Sequence, residues 1–283
     1  MNTRQKRINN LFDNETGRAV MIPMDHGIMY GVQQGLEDPV EALEQFTKLK
    51  PEALLVNFGV LKLTRDYLTS LDDAPGIIMG VDFNLTWEDW KTSIDADEVL
   101  GHCKVTRIKH AAEYGVDAVK VLFPLGLEPD LQLDYIDHTS DIIAEAEDYD
   151  MPVIVEPLTV GKYISEERKN DPEIIADGCR LALELGADII KAPYPGSEHQ
   201  EAFAEICENA NVPVIMLGGP KRDGVKGILQ TAREGIDAGA RGTIFGRNVW
   251  QRPVDEMKKV VKSLQDIVHK NASVKEVVEK YGL

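Results

Sequence analysis

Eight short apolar runs, separated by longer helical patterns, restrict the fold of this chain more than any other feature of its sequence. They recur about every 32 residues, which is the size of one βα unit. Most are continuously apolar rather than alternating, as parallel strands are when both faces of their sheet are covered. The runs lie at 19–24, 53–58, 77–83, 118–123, 152–156, 188–192, 213–217 and 242–246.

This repeat predicts a (β/α)8 barrel. Eight βα units with no break in composition favour a closed barrel, and an open doubly wound sheet is the alternative. We expect one domain over residues 1–283, with additional helices at its N- and C-terminal ends. The segment 184–190, ELGADII, supports the repeat, because a glycine between a helix end and a strand fits a left-handed C-terminal cap.

The third connection departs from the regular repeat. After Asp82 the segment 83–97 precedes a helix that we predict near 97–114. Long connections in compact domains are often functional. Trp87 and Trp90 either pack this loop down or line a site.

The C-terminal end carries two predicted helices beyond the eighth run. The first lies near 253–269 and opens with Pro253. The second starts at Ser273, where the sequence SVKE is a capping box. This last helix would close the base of the barrel or form a subunit contact, and we expect a homo-oligomer.

Charge and composition exclude several classes of partner. The formal net charge of −17 and the pI of about 4.8 argue against nucleic acid or an anionic membrane. No stretch reaches the roughly 18 consecutive apolar residues of a membrane span, and no apolar run follows the basic N-terminal residues. We therefore expect a cytoplasmic protein.

The residues that commonly bind metals show no ligand pattern. Cys103, Cys179 and Cys207 form no CxxC pair, which indicates neither a zinc site nor a disulfide framework. Each lies in a helix-like stretch, where we expect a small buried thiol. Of the six histidines only His26 lies at a predicted strand end. No metal and no organic cofactor are predicted.

In barrel enzymes the working residues lie at the carboxyl ends of the strands. The second strand is predicted to end near Asn57 and the third near Asp82. The remaining runs offer a candidate site made of charged residues and glycines: Asp25, His26, Lys120, Glu156, Lys191, Gly218, Gly219, Gly246 and Arg247.

Two lysines in apolar strands carry the chemical argument. Burying an ammonium group is costly, so Lys120 and Lys191 either pair with carboxylates, point outward at a strand end, or have a shifted pKa. Desolvation and a second cation both lower the pKa of an amine, which yields a free amine able to attack a ketone. Glu156, on the strand between the two lysines, supplies a group for acid–base work.

The loops after runs seven and eight, GGPKR and GRN, predict a phosphate site. Barrels frequently bind phosphate with the loops that follow these two strands. Glycine allows backbone N–H groups to approach the oxygens, and Lys221, Arg222 or Arg247 would add charge. These cations also explain how an acidic protein would bind an anionic ligand.

The stretches IPMDHG, GADIIKAPYPG, LGGPKR and GRNVWQ resemble the DhnA/LacD-type class I aldolases, relatives of the deoxyribose-phosphate aldolase superfamily. The resemblance covers nearly the whole chain. It implies that Lys191 forms a Schiff base and that Asp25 is the aspartate ending strand one. It also implies that the glycines of both loops and Arg247 hold a ketose 1-phosphate.

One position departs from part of this family. The archaeal-type fructose-bisphosphate aldolases carry an acid–base tyrosine just past strand five, where this chain has Leu158. Glu156 together with a strand-four lysine is similar to the tagatose-bisphosphate and sulfofructose-phosphate aldolases. Tyr194 either takes part of the missing tyrosine's role or is a packing residue.

The resemblance implies a reversible aldol cleavage of a ketose phosphate to dihydroxyacetone phosphate and an aldehyde. Lys191 would form the iminium and Lys120 would lower the pKa of Lys191, while either Asp25 or Glu156 takes the proton from the C4 hydroxyl. His26 either binds substrate oxygen or steadies the first loop. A transaldolase- or thiolase-like enzyme acting on a phosphorylated deoxyketose or diketone is one alternative. A catalytically silent sugar-phosphate-binding protein is the other.

Overall fold

The computed structural model describes residues 2–86, 99–222 and 224–283. The strands of this part of the chain are β1 (Ala19–Pro23), β2 (Ala53–Asn57), β3 (Gly76–Gly80), β4 (Asp82–Thr86), β5 (Val99–Lys104), β6 (Ala118–Pro124), β7 (Val153–Leu158), β8 (Ile189–Ala192), β9 (Val214–Leu217) and β10 (Gly242–Ile244). Eight of them pair in parallel into a closed barrel in the order β1-β10-β9-β8-β7-β6-β3-β2. This confirms the predicted (β/α)8 barrel, since each apolar run overlaps one barrel strand.

Helices surround the barrel, and at least one follows each barrel strand before the next begins. They are α1 (Thr3–Asn9), α2 (Gly27–Tyr30), α3 (Pro39–Thr47), α4 (Phe58–Thr69), α5 (Ile108–Glu113), α6 (Pro129–Glu147), α7 (Pro172–Leu185), α8 (Gln200–Asn209), α9 (Lys226–Asp237), α10 (Arg247–Trp250), α11 (Val254–Lys270) and α12 (Val274–Tyr281). None of those in the described residues is long and apolar enough to span a membrane.

Alternation along the strands divides the core into two layers. One face of the strands points into the barrel, where Met21, Leu55, Ile154 and Ile215 pack with their neighbours. The other face, with Ile22 among its residues, packs under the helices. The barrel interior is therefore a packed apolar core.

The third connection differs from the prediction. Strands β4 and β5 form an antiparallel pair outside the barrel, and the helix begins at Ile108 rather than near residue 97. Cys103 consequently lies exposed in a strand instead of in a helix, whereas Cys179 and Cys207 do lie in helices. Pairing between distant segments is not visible in a local pattern. Trp87 and Trp90 lie outside the described residues.

The last helix also differs from one of its two expected roles. The capping box at Ser273 is present, but α12 packs against α9 and α11 in the outer helical layer. The N-terminal segment covers the base of the barrel instead. Leu11 is fully buried in the cluster inside the barrel, and Arg4 pairs with Asp188 immediately before β8.

Candidate active site

The carboxyl ends of the barrel strands bring four charged side chains together. Asp25 follows β1, Lys120 lies on β6, Glu156 on β7 and Lys191 on β8. Each has no more than 6% of its surface exposed. Charged groups are seldom buried to this extent unless they are paired.

The four groups form one continuous ion-pair network. Lys191 Nζ lies 2.9 Å from Glu156 Oε1, and Lys120 Nζ lies 3.3 Å from Glu156 Oε2. Lys120 Nζ also lies 3.0 Å from Asp25 Oδ2. Glu156 therefore bridges the two lysines, and Lys120 bridges the two carboxylates. Both lysines pair with carboxylates, and neither points outward.

Burial and neighbouring charges act in opposite directions on this network. Burial alone would raise the pKa of Asp25, but Lys120 and then His26 hold it well below its usual range. The pKa of Glu156 is likewise raised by burial and lowered, to a net decrease, by Lys191 and Lys120. Burial lowers the pKa of Lys120, whereas Asp25 and Glu156 raise it more strongly. Lys120 is thus held as an ammonium group between two carboxylates.

The loop that follows β1 and carries Asp25 and His26 is held by contacts from Asn57 and from Trp250. The side-chain amide of Asn57 donates a 2.7 Å hydrogen bond to the backbone carbonyl of Asp25. His26 Nδ1 lies 3.3 Å from Asp25 Oδ1, and its ring meets Trp250 edge-on with centroids 5.2 Å apart. Trp250 in turn donates from Nε1 to the carbonyl of Pro23. His26 therefore contacts the charged network, and Trp250 of α10 packs against its ring.

Asp82 supports the network from outside the barrel. It begins β4 and its carboxylate accepts the Leu122 N–H at 3.0 Å. It also contributes to raising the pKa of Lys120. His138 Nε2 lies 3.6 Å from Asp82 Oδ2 on the far side. The predicted strand end at Asp82 is therefore the point where β4 leaves the barrel, and its carboxylate fixes β6 near Lys120.

The two glycine loops lie side by side because β9 and β10 are neighbours in the barrel. Gly219 has a φ of +63°, in the left-handed region that favours glycine. At Gly246 a Cβ atom would lie 3.0 Å from His26 Cε1 and from Pro23 Cγ, closer than side chains pack. Gly246 therefore permits the loop that follows β10 to approach the loop that follows β1.

The predicted cations of these loops differ in their surroundings. Lys221 and Arg222 are exposed, and the Arg222 guanidinium donates to Thr231 on α9. Arg247 is half-buried, its guanidinium lies 5.8 Å from the ring centroid of Tyr30, and its Nε has no partner within the described residues. Arg247 is thus the cation with an uncommitted buried donor.

Sequence reasoning missed two residues of this region, Asn248 and Arg252. The fully buried Asn248 donates from Nδ2 to the carbonyls of Gly218 at 3.0 Å and Pro220 at 2.9 Å. Arg252 donates from Nη2 to the carbonyl of Gly224. The only signal in the sequence is the presence of Asn248 within GRNVWQ, because contacts to backbone carbonyls leave no pattern.

Tyr194 is engaged away from the charged network. Its hydroxyl donates to Glu234 Oε2 on α9 at 3.1 Å, and its ring packs edge-on against Phe203. Burial and then Glu234 raise the pKa of its hydroxyl. Leu158 ends β7 two residues beyond Glu156. Among the residues that the structure describes, no group of three or more His, Cys, Asp or Glu is arranged to hold a metal ion.

The closed barrel and its buried lysine–carboxylate network define a (β/α)8-barrel protein with a charged centre at the carboxyl ends of its strands. Residues 19–252 match the family model described as DeoC/LacD family aldolase. The chain belongs to that family.

Named relatives align over nearly the whole chain. An uncharacterised aldolase of Saccharolobus solfataricus is 32% identical and covers 96% of this chain and 97% of its own. Two Halobacterium salinarum proteins follow. A 2-amino-3,7-dideoxy-D-threo-hept-6-ulosonate synthase is 28% identical, covering 94% of this chain and 92% of its own. A class 1 fructose-bisphosphate aldolase is 27% identical, covering 93% and 94%.

The fold also matches a solved structure. An archaeal fructose-1,6-bisphosphate aldolase, with its catalytic lysine covalently bound to the carbinolamine intermediate of the substrate, superposes with a TM-score of 0.76. The match covers 94% of this chain and 99% of the other, at 24% sequence identity. At this identity the likeness concerns the fold.

Proposed function

We propose that this chain is a class I aldolase that reversibly cleaves a ketose 1-phosphate to dihydroxyacetone phosphate and an aldehyde through a Schiff base on Lys191. The observation that carries the proposal is the 2.9 Å contact between the buried amine of Lys191 on β8 and the carboxylate of Glu156 on β7. An amine beside a carboxylate in a water-poor site has both the nucleophile and the proton carrier that imine formation needs.

The surroundings of the two lysines favour Lys191 over Lys120 as the nucleophile. Lys120 contacts two carboxylates, and its pKa is raised, so it keeps its proton. An ammonium group cannot attack a ketone. Lys191 contacts Glu156 alone among the acidic groups of the described residues. We assign Lys120 to holding hydroxyl or phosphate oxygen and to keeping Asp25 and Glu156 ionised.

Glu156 is suited to move protons during imine formation. Glu156 first takes a proton from the Lys191 ammonium group, and the free amine attacks the C2 ketone. Glu156 then returns this proton to the carbinolamine hydroxyl, which leaves as water, so that an iminium and an ionised Glu156 remain. The iminium then accepts the electrons of the breaking C3–C4 bond as the C4 hydroxyl gives its proton to a carboxylate. Glu156 is our first candidate for this proton as well, because it touches Lys191, whereas Asp25 touches Lys120.

We assign the phosphate to the two loops that follow β9 and β10. Gly218, Gly219 and Gly246 permit close approach to backbone N–H groups, and Arg247 brings a cation with a free Nε donor. Lys221 adds an exposed charge at the rim. His26, held against Trp250, is assigned to a substrate hydroxyl.

The relatives support this proposal and one alternative. The class 1 fructose-bisphosphate aldolase favours a ketose phosphate. The heptulosonate synthase, at 28% identity, favours the alternative of a transaldolase-like enzyme acting on a phosphorylated deoxyketose. Both candidate reactions would start from the proposed Schiff base on Lys191, so they differ in the acceptor rather than in the nucleophile. A silent binding protein would keep the loops but form no adduct.

Borohydride reduction in the presence of dihydroxyacetone phosphate tests the proposal. We expect a stable mass increase on the intact chain that maps to the peptide containing Lys191. An adduct on Lys120 with Lys191 unmodified would contradict the assignment. Cleavage of a panel of ketose phosphates, compared with transfer to aldehyde acceptors, separates the aldolase from the transaldolase-like alternative. Activity should survive EDTA, since the proposed steps use only side chains.

A further inference from the structure

We propose that Asn248 and Arg252 are positioning residues that fix loop residues 218–222 so that the backbone N–H groups of Gly219 and Lys221 bind the substrate phosphate. This inference rests on the proposed function and adds to it. It assigns the donor atoms of the loop and the two side chains that orient them. Both side chains are at least nine-tenths buried, so neither is placed to meet substrate itself.

Asn248 ties one loop to the other through its whole amide. Its Nδ2 donates to the carbonyls of Gly218 and Pro220, with the Gly219 carbonyl also 3.4 Å away. Its Oδ1 accepts the backbone N–H of Arg222 at 3.0 Å. A single side chain on the β10 side therefore fixes four successive peptide units on the β9 side, 26 to 30 residues away.

The planarity of the peptide bond then determines where the N–H groups point. In a trans peptide the carbonyl of one residue is antiparallel to the N–H of the next, and the described residues contain no cis peptide bond. Because the carbonyls of Gly218 and Pro220 face Asn248, the N–H groups of Gly219 and Lys221 point away from it. Asn248 has no exposed surface, so this direction leads outward.

The two N–H groups are also uncommitted. Neither the Gly219 nor the Lys221 N–H donates a hydrogen bond within the described residues, while the N–H of Arg222 is held by Asn248. Pro220, between them, has no N–H to offer. The left-handed conformation of Gly219 is typical of concave backbone sites that bind anions.

Arg252 fixes the far end of the same loop. Its Nε donates to the carbonyl of Asn248 at 2.7 Å, and its Nη2 donates to the carbonyls of Arg222 at 3.2 Å and Gly224 at 3.0 Å. Its Nη1 pairs with Glu256 on α11 at 2.6 Å. The guanidinium thus connects the loop, Asn248 and α11. A loop fixed in this way loses little conformational entropy on binding, which favours affinity.

Hydrogen exchange on the unmodified protein tests the donor assignment without any variant. We expect inorganic phosphate to slow exchange of the amides in the 218–222 segment, and at single-residue resolution those of Gly219 and Lys221. Unchanged exchange of these two amides at saturating phosphate would overturn the proposal. This measurement does not require turnover, so it remains informative if no ketose phosphate is cleaved.

The substitution Asn248→Asp tests the positioning role. It keeps the acceptor for the Arg222 N–H but replaces the donor with an anion that repels the carbonyls of Gly218 and Pro220. We expect the concentration of dihydroxyacetone phosphate needed for half-maximal borohydride trapping to rise roughly ten-fold or more, as for a lost charge-assisted contact. Trapping with unphosphorylated dihydroxyacetone should change by less than about two-fold, because only the phosphate is misplaced.

Asn10→Ala is the matched control. Its amide donates to Asp117 at the opposite end of the barrel, so trapping with both ketones should be unchanged. Equal losses with the phosphorylated and unphosphorylated ketone in Asn248→Asp would overturn the positioning role in favour of a general structural one. Absence of any Lys191 adduct in the unmodified protein would refute the proposed function alone.

Discussion

The two ends of the barrel use carboxylates in opposite ways. At the base, Glu52, Asp117 and Asp188 accept backbone N–H groups of neighbouring strands at 2.6 Å, 2.9 Å and 2.8 Å. At the opposite end, Asp25 and Glu156 face the side-chain amines of Lys120 and Lys191. A backbone amide cannot change its charge, whereas a lysine amine can.

The cations follow the same division. Arg4 at the base forms a two-pronged contact with Asp188, with distances of 2.7 Å and 2.8 Å. A guanidinium remains protonated in proteins, while a buried ammonium group can lose its proton. The Arg4–Asp188 pair at the base therefore keeps its charges, whereas the other end pairs its carboxylates with lysines. Asp188 immediately precedes β8, and Lys191 lies on β8 three residues later, yet the two residues belong to different ends of the barrel.

Replacing Lys191 should have the largest effect. Lys191→Met removes the proposed nucleophile, so kcat should fall by a factor on the order of 10⁴ or more. Lys191→Arg is the matched control, because it keeps the positive charge beside Glu156 but cannot form an imine under these conditions. Turnover above about 1% in the arginine variant would mean that the charge, and not the amine, matters. Stopped assays and intact-mass trapping measure both.

Replacing Glu156 should have the second largest effect. Glu156→Gln keeps size and hydrogen bonding but prevents proton transfer, so kcat should fall by roughly 10²–10⁴. The covalent intermediate should accumulate, which increases the fraction trapped by borohydride.

The pH–rate profile separates this role from a purely electrostatic one. Because its pKa is lowered, the Glu156 carboxylate stays ionised even somewhat below the usual pKa of a glutamate. Its contribution is lost only as the pH falls through the lowered value. If Glu156 only positions Lys191, the glutamine variant should regain wild-type kcat at a shifted optimum. That result would return the acid–base role to Asp25, since the Tyr194 hydroxyl is bonded to Glu234.

Replacing Arg247, the cation that follows β10, should have an intermediate effect on turnover. Arg247→Ala should raise KM for a ketose 1-phosphate about ten- to a hundred-fold, since a charge-assisted contact is worth about 1.5–3 kcal/mol. The comparison variant is Arg241→Ala at the base, whose Nε donates to the carbonyl of Gly17. Steady-state kinetics should show no change in KM for this variant. Equal KM values for the two variants would remove Arg247 from the phosphate site.

The smallest effect on turnover is expected at the base. Asp188→Asn loses the ion pair with Arg4, which should reduce the free energy of unfolding by about 1–3 kcal/mol. The melting temperature should then fall by roughly 2–4 °C for each kcal/mol. We expect kcat to stay within about two-fold of the wild type. A large loss of kcat with an unchanged melting temperature would show that the two ends are not independent.

Much of the fold could be predicted because the barrel strands are covered on both faces. Each was visible as a mainly apolar run, and the C-terminal capping box is a local signal of four residues. The β4–β5 pair was missed because it joins two segments that are separated in the sequence, with Asp82 opposite Lys104. Closure of the base, one of the two roles expected for the last helix, falls to the N-terminal segment, and this was missed for the same reason, since Arg4 and Asp188 are 184 residues apart.

The residues of the candidate site also divide into those that a local sequence pattern predicts and those that depend on contacts between distant segments. Asp25, Lys120, Glu156 and Lys191 were found because the strand-end rule converts chain position into spatial position. The structure adds which carboxylate meets which lysine, and this depends on distances that no sequence pattern contains. Asn248 and Arg252 were missed because they recognise backbone carbonyls, whose positions depend on the finished fold.

Closure of the barrel between its first and last strands has a consequence for synthesis of the chain. β1 pairs with β10, with Ala19 opposite Gly242, so one edge of β1 has no partner until 223 further residues are made. At about 5–20 residues per second, this lasts roughly 10–45 s. An unpaired strand edge is a template for pairing with other chains. Nascent chains of this protein are therefore most exposed to aggregation in the interval before the last strand leaves the ribosome.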